Sequence, residues 1–149
     1  MMRFPEEKIQ NSPTQWVAEH IKTYLKTNGD TGHEWRPGIY TLLITTIGRK
    51  TGKLHRTGLI YGKDQDRYII VASKGGHPKH PNWYLNLKKN AEVYLQVKSE
   101  KFLARGKDAE GAERQRLWKM MAEIFPQYED YQRRTLRKIP VVILERIEE

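Results

Sequence analysis

The chain has 149 residues, no cysteine and a net charge of +9, a length that suits one domain spanning residues 1–149. The missing cysteines exclude disulfides, thiolate zinc sites and a catalytic thiol. No apolar run is long enough to span a membrane and the N-terminus lacks a signal-peptide core, so the expectation is a cytoplasmic protein without a transmembrane segment, with peripheral membrane contact left open.

Ser12, Pro13 and Gln15 supply an N-cap, a proline at the first helical position and a capping-box glutamine, which predicts a helix over 13–27 within an N-terminal segment 1–30. Trp16, Val17, Ile21, Tyr24 and Leu25 share its apolar face, and Asn28 with Gly29 ends it. Residues 28–38 read as a loop. Strands follow at 39–47, 56–62 and 67–73, separated by turns at 48–53 and 63–66. A short helix over 82–89 precedes a hairpin of 92–98 and 101–105, whose second strand Gly106 is expected to break. Asp108 is expected to cap the next helix, with Glu110 and Glu113 near its positive end. Leu117, Met120, Met121 and Ile124 form its core stripe, and Pro126 opens a further turn over 127–135. Residues 140–144 make a final buried strand. The order is mainly β with flanking helices (α+β), and six strands joined largely by short turns suggest antiparallel closure into a barrel.

The chemistry concentrates in residues 72–87, where a strand feeds a loop with paired glycines, lysines and histidines and then the short helix. Paired glycines let backbone N–H groups approach a ligand, and lysines and a helix N-terminus favour anions. Residues 48–90 hold ten Lys or Arg against two acids, a local excess of +8. A field of one sign suits an anionic ligand, although a solvated basic surface would have the same composition. The turn Gly48, Arg49, Lys50, Thr51, Gly52, Lys53 is no phosphate-binding Walker loop, because three residues separate its glycines and Leu54 follows its lysine. His77 and His80 have metal-like spacing, but no Asp or Glu nearby completes a set, so no metal is expected. Ser73 lacks the G-x-S-x-G elbow of a hydrolase nucleophile, leaving it a hydrogen-bonding role. Trp83 and Asn86 can share a helix face, and Tyr128 and Tyr131, three apart, can line a pocket or cap a core. A basic barrel with aromatics can also bind nucleic acid, but here the cations sit mostly in turns and loops, so no nucleic-acid partner is expected.

Several blocks together resemble the deazaflavin-dependent nitroreductase family: Thr45 to Gly52, Val71 to Gly76, Pro81 to Leu87, Tyr128 to Gln132 and Ile139 to Val142. They occur in the family's order and spacing over roughly residues 38–145. The resemblance implies a six-stranded split β-barrel related to flavin reductases and pyridoxamine-phosphate oxidases. It implies coenzyme F420, a deazaflavin with a phosphate and an oligoglutamate tail. Arg49, Lys50 and Thr51 would face the phosphate and tail, with Arg56 and His55 sharing an arginine's role. Leu59, Ala72, Ser73 and Lys74 would line the deazaflavin and its phosphate. Trp83, Tyr84, Leu85 and Asn86 would hold the ring side, Asn82 would also bind the cofactor, and Tyr128 and Tyr131 would cover the acceptor.

The implied reaction is hydride transfer from C5 of the reduced deazaflavin to an electron-poor small molecule, with Ser73 or Tyr128 donating a hydrogen bond to it. Phe125 stands where relatives that reduce bulky nitroimidazoles carry tyrosine, and Ile60 where they carry an aromatic residue. Quinones and enones therefore stand beside nitro compounds as acceptors. Other readings are an FMN or FAD reductase of the same fold and a non-catalytic binding barrel. Either a monomer or a homodimer is compatible with the sequence.

Overall fold

A computed structural model describes residues 4–147. In chain order its elements are β1 (Ile9–Asn11), α1 (Gln15–Thr27), β2 (Glu34–Arg36), β3 (Ile39–Ile47), β4 (Leu54–Asp64), β5 (Arg67–Val71), α2 (Asn82–Lys89), β6 (Glu92–Val97), β7 (Glu100–Asp108), α3 (Gly111–Ile124), α4 (Gln127–Arg133) and β8 (Val141–Arg146). Antiparallel pairing runs β3–β4–β5–β8–β7–β6 and returns from β6 to β3, closing the expected six-stranded barrel. β1 adds to β4 in parallel, and β2 adds to β3 antiparallel.

Alternation along the strands sorts the core. Leu42, Ile44, Tyr68, Ile70, Val142 and Leu144 join one buried cluster with side chains of β6 and β7. Their neighbours Ile69, Val71, Val141 and Ile143 join another with Leu117 and Met121 of α3. Leu43 packs instead with Ile21 and Tyr24 of α1. Strands buried on both faces explain why these segments read as continuous apolar runs rather than alternating ones. Each fully buried Leu or Ile contributes roughly 1.5–3 kcal/mol.

Five local expectations are corrected. The helix begins at Gln15 with no side-chain cap, because residues 9–11 are paired with β4 and the Ser12 N–H donates to the Arg56 carbonyl at 2.8 Å. Trp16 leaves the apolar face of α1 and is 65% exposed. Gly106 continues β7, paired with Leu144; a Cβ there would lie 2.7 Å from Leu87, so its bareness admits α2 against the sheet. Asp108 does not cap α3. It is still paired with Val142, and its carboxylate accepts from the Tyr84 hydroxyl at 2.8 Å and Lys88 at 3.1 Å. The loop over 28–38 also contains β2, a strand too short to show a pattern.

Candidate functional site

A cleft of about 850 Å³ lies where the β3–β4 turn, the segment after β5, α2, α4 and the N-terminal segment meet. Antiparallel pairing of β3 with β4 and of β4 with β5 brings the β3–β4 turn beside the segment after β5, which runs directly into α2.

The cationic wall comes from the turn after β3. The Arg49 backbone N–H and Nη1 both donate to Asn86 Oδ1, at 3.1 and 2.9 Å, and Nη2 reaches Asn82 Oδ1 at 3.4 Å. Asn86 Nδ2 in turn donates to Thr46 Oγ1 at 3.1 Å. Buried Asn86 thus fixes where the Arg49 charge sits, and Lys50, Thr51 and His55 line the same region. Arg56 also reaches the lining, but its head is committed. Its Nε donates to Asn11 at 2.8 Å and its Nη1 pairs with Glu6 at 2.9 Å, tying the N-terminal segment to the barrel.

The loop after β5 forms a backbone cradle. Ser73 is right-handed (φ −78°, ψ −41°), and Lys74, Gly75 and Gly76 then have φ of 45°, 60° and 81°. A right-handed residue followed by a left-handed one turns successive N–H groups to one side, a shape that binds anions. Ser73 and Lys74 line the cleft here.

Aromatic rings form another wall. Phe125 meets Tyr128 edge-on at 5.1 Å and lies 6.3 Å from both Tyr131 and Trp35. Tyr128 is 4% exposed, and burial with the adjacent Tyr131 pushes its hydroxyl above the ordinary phenol value. Leu59, Ile60 and Trp83 complete the apolar lining.

Of the residues singled out from the sequence, the cleft gathers Arg49, Lys50, Thr51, His55, Arg56, Leu59, Ser73, Lys74, Asn82, Trp83, Asn86, Tyr128 and Tyr131. Ala72, Tyr84 and Leu85 are not in its lining. Ala72 is fully buried in the barrel core, Leu85 packs against it, and Tyr84 turns its hydroxyl away to Asp108. Trp16, His20 and Trp35 line the cleft without having been singled out for it. Trp16 carried a signal, a large ring three positions after Pro13 among polar residues; His20 and Trp35 carried none that local spacing reveals.

Known proteins match this arrangement. A family model described as F420H(2)-dependent quinone reductase matches residues 16–146. An F420H(2)-dependent quinone reductase of Mycobacterium tuberculosis is 42% identical over 135 residues, covering 89% of this chain and 91% of the relative. A solved chain described as a domain-swapped dimer is 40% identical with a TM-score of 0.69, covering 90% of this chain and 100% of that one. Another, titled F420-H2 dependent reductase (FDR-A), is 42% identical with a TM-score of 0.66 over 70% of this chain and 93% of its own. Because the family match spans nearly the whole barrel and both walls of the cleft, the chain belongs to the F420H(2)-dependent quinone reductase family and is an F420H2-dependent reductase whose cofactor is coenzyme F420.

Proposed function

We propose that the chain reduces quinones best, with enones as further acceptors and nitro compounds as slow ones. The carrying observation is one cleft that joins a positioned cation and a backbone anion cradle to a ring-lined apolar wall. A phosphate and acidic tail fit the first part, and flat rings fit the second. When bound, F420H2 supplies a hydride from C5 of its deazaflavin.

The chain's own groups bind, orient and dry the site. Arg49, held by Asn82 and Asn86, and the neighbouring Lys50 and Thr51 would grip the anionic end, with His55 beside them. The Ser73–Lys74 backbone would take the phosphate, and Leu59 and Trp83 would flank the ring. Arg56, already paired with Glu6, would support the wall rather than touch the cofactor. Tyr128 would hold its proton on the hydroxyl oxygen and donate it as a hydrogen bond to the acceptor oxygen as negative charge grows there. Phe125, Tyr131 and Trp35 would exclude water from the same space. Phe125 offers no hydroxyl to a nitro group.

An acceptor series with F420H2 tests the ranking. A naphthoquinone is expected to have the highest kcat/KM, and a bicyclic nitroimidazole one lower by roughly tenfold or more, the value of about one lost hydrogen bond. A nitroimidazole matching the quinone would contradict it. The relative described as a domain-swapped dimer supports a homodimer for this chain as well, expected at twice the chain mass in sedimentation; a monomer mass would contradict that.

A further inference from the structure

Arg137 lies between α4 and β8 and is outside the cleft lining, yet its guanidinium is spent on the loop that forms the cradle. Nε donates to the His77 carbonyl at 2.8 Å, and Nη2 to the Ser73 carbonyl at 2.7 Å. Nη1 is shared between the Ala72 carbonyl and His80 Nδ1, both at 3.1 Å. These acceptors bracket the left-handed stretch, Ala72 and Ser73 before it and His77 and His80 after it. Lys74, with φ of 45°, is a non-glycine residue in a conformation that persists only where its surroundings enforce it. Among the described residues, no other side chain donates to the backbone of residues 72–77.

Arg137 is itself seated. Its carbonyl accepts from Gln132 Nε2 at 2.8 Å, and Gln132 Oε1 accepts the Ile139 N–H at 3.0 Å. Gln132 belongs to α4, which carries Tyr128 and Tyr131 into the cleft. Gly76 rests on the same helix, so closely that a Cβ would lie 2.7 Å from the Tyr131 carbonyl oxygen. The fork thus joins the anion cradle to the helix of the ring-lined wall. His80 must present an unprotonated Nδ1 to accept from Arg137. Burial and the arginine's charge push its pKa down, which favours that form, while Asp108 opposes them. The His80 ring also meets the Tyr84 ring at 4.8 Å, tilted by 48°, and the Tyr84 hydroxyl is held by Asp108. The chain just after β5 is also tied to the segment before β8 without the fork, because the Ala72 N–H donates to the Pro140 carbonyl at 2.9 Å.

We propose that Arg137 is the positioning residue of the cofactor site, holding residues 72–80 in the shape that presents the Ser73–Lys74 backbone to an anion. The proposal rests on reading the cleft as the F420 site. It also holds that the planar fork matters rather than the positive charge, since an ammonium cannot reach these diverging acceptors at once.

The test compares wild type with Arg137→Lys and Arg137→Gln by three readouts. These are amide hydrogen exchange of residues 72–77 in the cofactor-free protein, F420 affinity by fluorescence titration, and KM for the quinone. Both variants are expected to speed loop exchange and to weaken F420 binding by roughly tenfold, the scale of losing about one charge-assisted hydrogen bond. The quinone KM is expected to stay within about twofold of wild type, as for a group that does not touch the acceptor. Arg137→Lys keeping wild-type affinity would overturn the role of the fork, and unchanged loop exchange would overturn the positioning role altogether. If neither variant folds, His80→Ala removes one acceptor and keeps the guanidinium; a smaller change in the same direction supports the proposal, and no change overturns it. Faster loop exchange in a protein whose wild type binds no F420 would instead overturn the cofactor reading.

Discussion

Tyr128 combines the two properties a hydrogen-bond donor to the acceptor needs: it lines the cleft, and its surroundings keep it protonated. Its pKa is raised from the ordinary value of 10, so the neutral O–H persists throughout the physiological range and into alkali. Turnover is therefore expected to show no loss from this group between about pH 7 and 9. Tyr128→Phe is expected to lower kcat by roughly 10- to 100-fold, in the manner of a lost donor to a developing oxyanion. F420 affinity should stay within about twofold; an equal fall in affinity would make the ring, not the hydroxyl, the contributor. Ser73→Ala under the same measurements separates the second candidate donor from the first. Asn86 acts differently, by holding Arg49 through two hydrogen bonds. Asn86→Ala is expected to raise the Kd for F420 roughly tenfold, a loss on the scale of one or two hydrogen bonds to a charged group. Titration of the variant measures it, and unchanged affinity would show that Arg49 needs no support. At this scale the sequence showed which residue types gather but not which way they turn. Trp83 and Asn86 share the face of α2 toward the cleft, as their spacing suggested, while Tyr84 sits one position round the helix and goes to Asp108. Arg56 reads as a free cation until Glu6, fifty positions earlier, is brought beside it.

The elements whose signals are local were legible, and those that depend on a distant partner were not. β3 and α2 follow from an apolar β-branched run and from a proline-led start, and both bounds match. β1 is three residues long and exists because β4 offers it an edge, which no window of sequence around residue 9 contains. Gly106 is the same lesson inside a strand, where its cause is Leu87 on another element. Leu87 is 1% exposed and has little room to retreat. Gly106→Ala is therefore expected to destabilise the protein by about 1–3 kcal/mol, the usual cost of overpacking, measured by denaturant unfolding; wild-type stability would show that α2 can shift. The β4–β5 turn is pinned to α3 by charge. Asp64 accepts from both nitrogens of Arg116 at 3.0 Å and from Arg67 at 2.5 Å, and these hydrogen bonds hold its carboxyl well below the ordinary carboxylate range. A depressed folded-state pKa contributes stability that is present above the unfolded value and lost as pH falls toward the folded one. Asp64→Asn is expected to lower stability by about 1 kcal/mol at neutral pH, in keeping with a partly exposed network. The gap should narrow below about pH 4; a gap independent of pH would point to lost packing instead.

On the scale of the whole molecule, the charge concentration in residues 48–90 was visible at once, but only part of it serves the cleft. Arg49, Lys50, Arg56 and Lys74 are in the lining, whereas Arg67 pairs with Asp64 and Glu113, and Lys88 pairs with Asp108. Exposed cations at the mouth still add a field that salt screens, so F420 affinity is expected to fall as ionic strength rises. Barrel closure placed the remaining parts, because β3, β4 and β5 meet side by side and deliver two loops and α2 to one mouth. Three of the resemblance blocks, Thr45 to Gly52, Val71 to Gly76 and Pro81 to Leu87, cover those two loops and α2, which is why much of the cleft lining was legible while the edges of the sheet were not. A cleft that couples reduced F420 to a quinone must turn both over together. The most direct measurement is anaerobic mixing of the protein, F420H2 and a naphthoquinone, following recovery of the oxidised deazaflavin absorbance. The expected result is saturable, protein-dependent oxidation of F420H2 that reduced FMN does not replace. Oxidation with reduced FMN and none with F420H2 would contradict it.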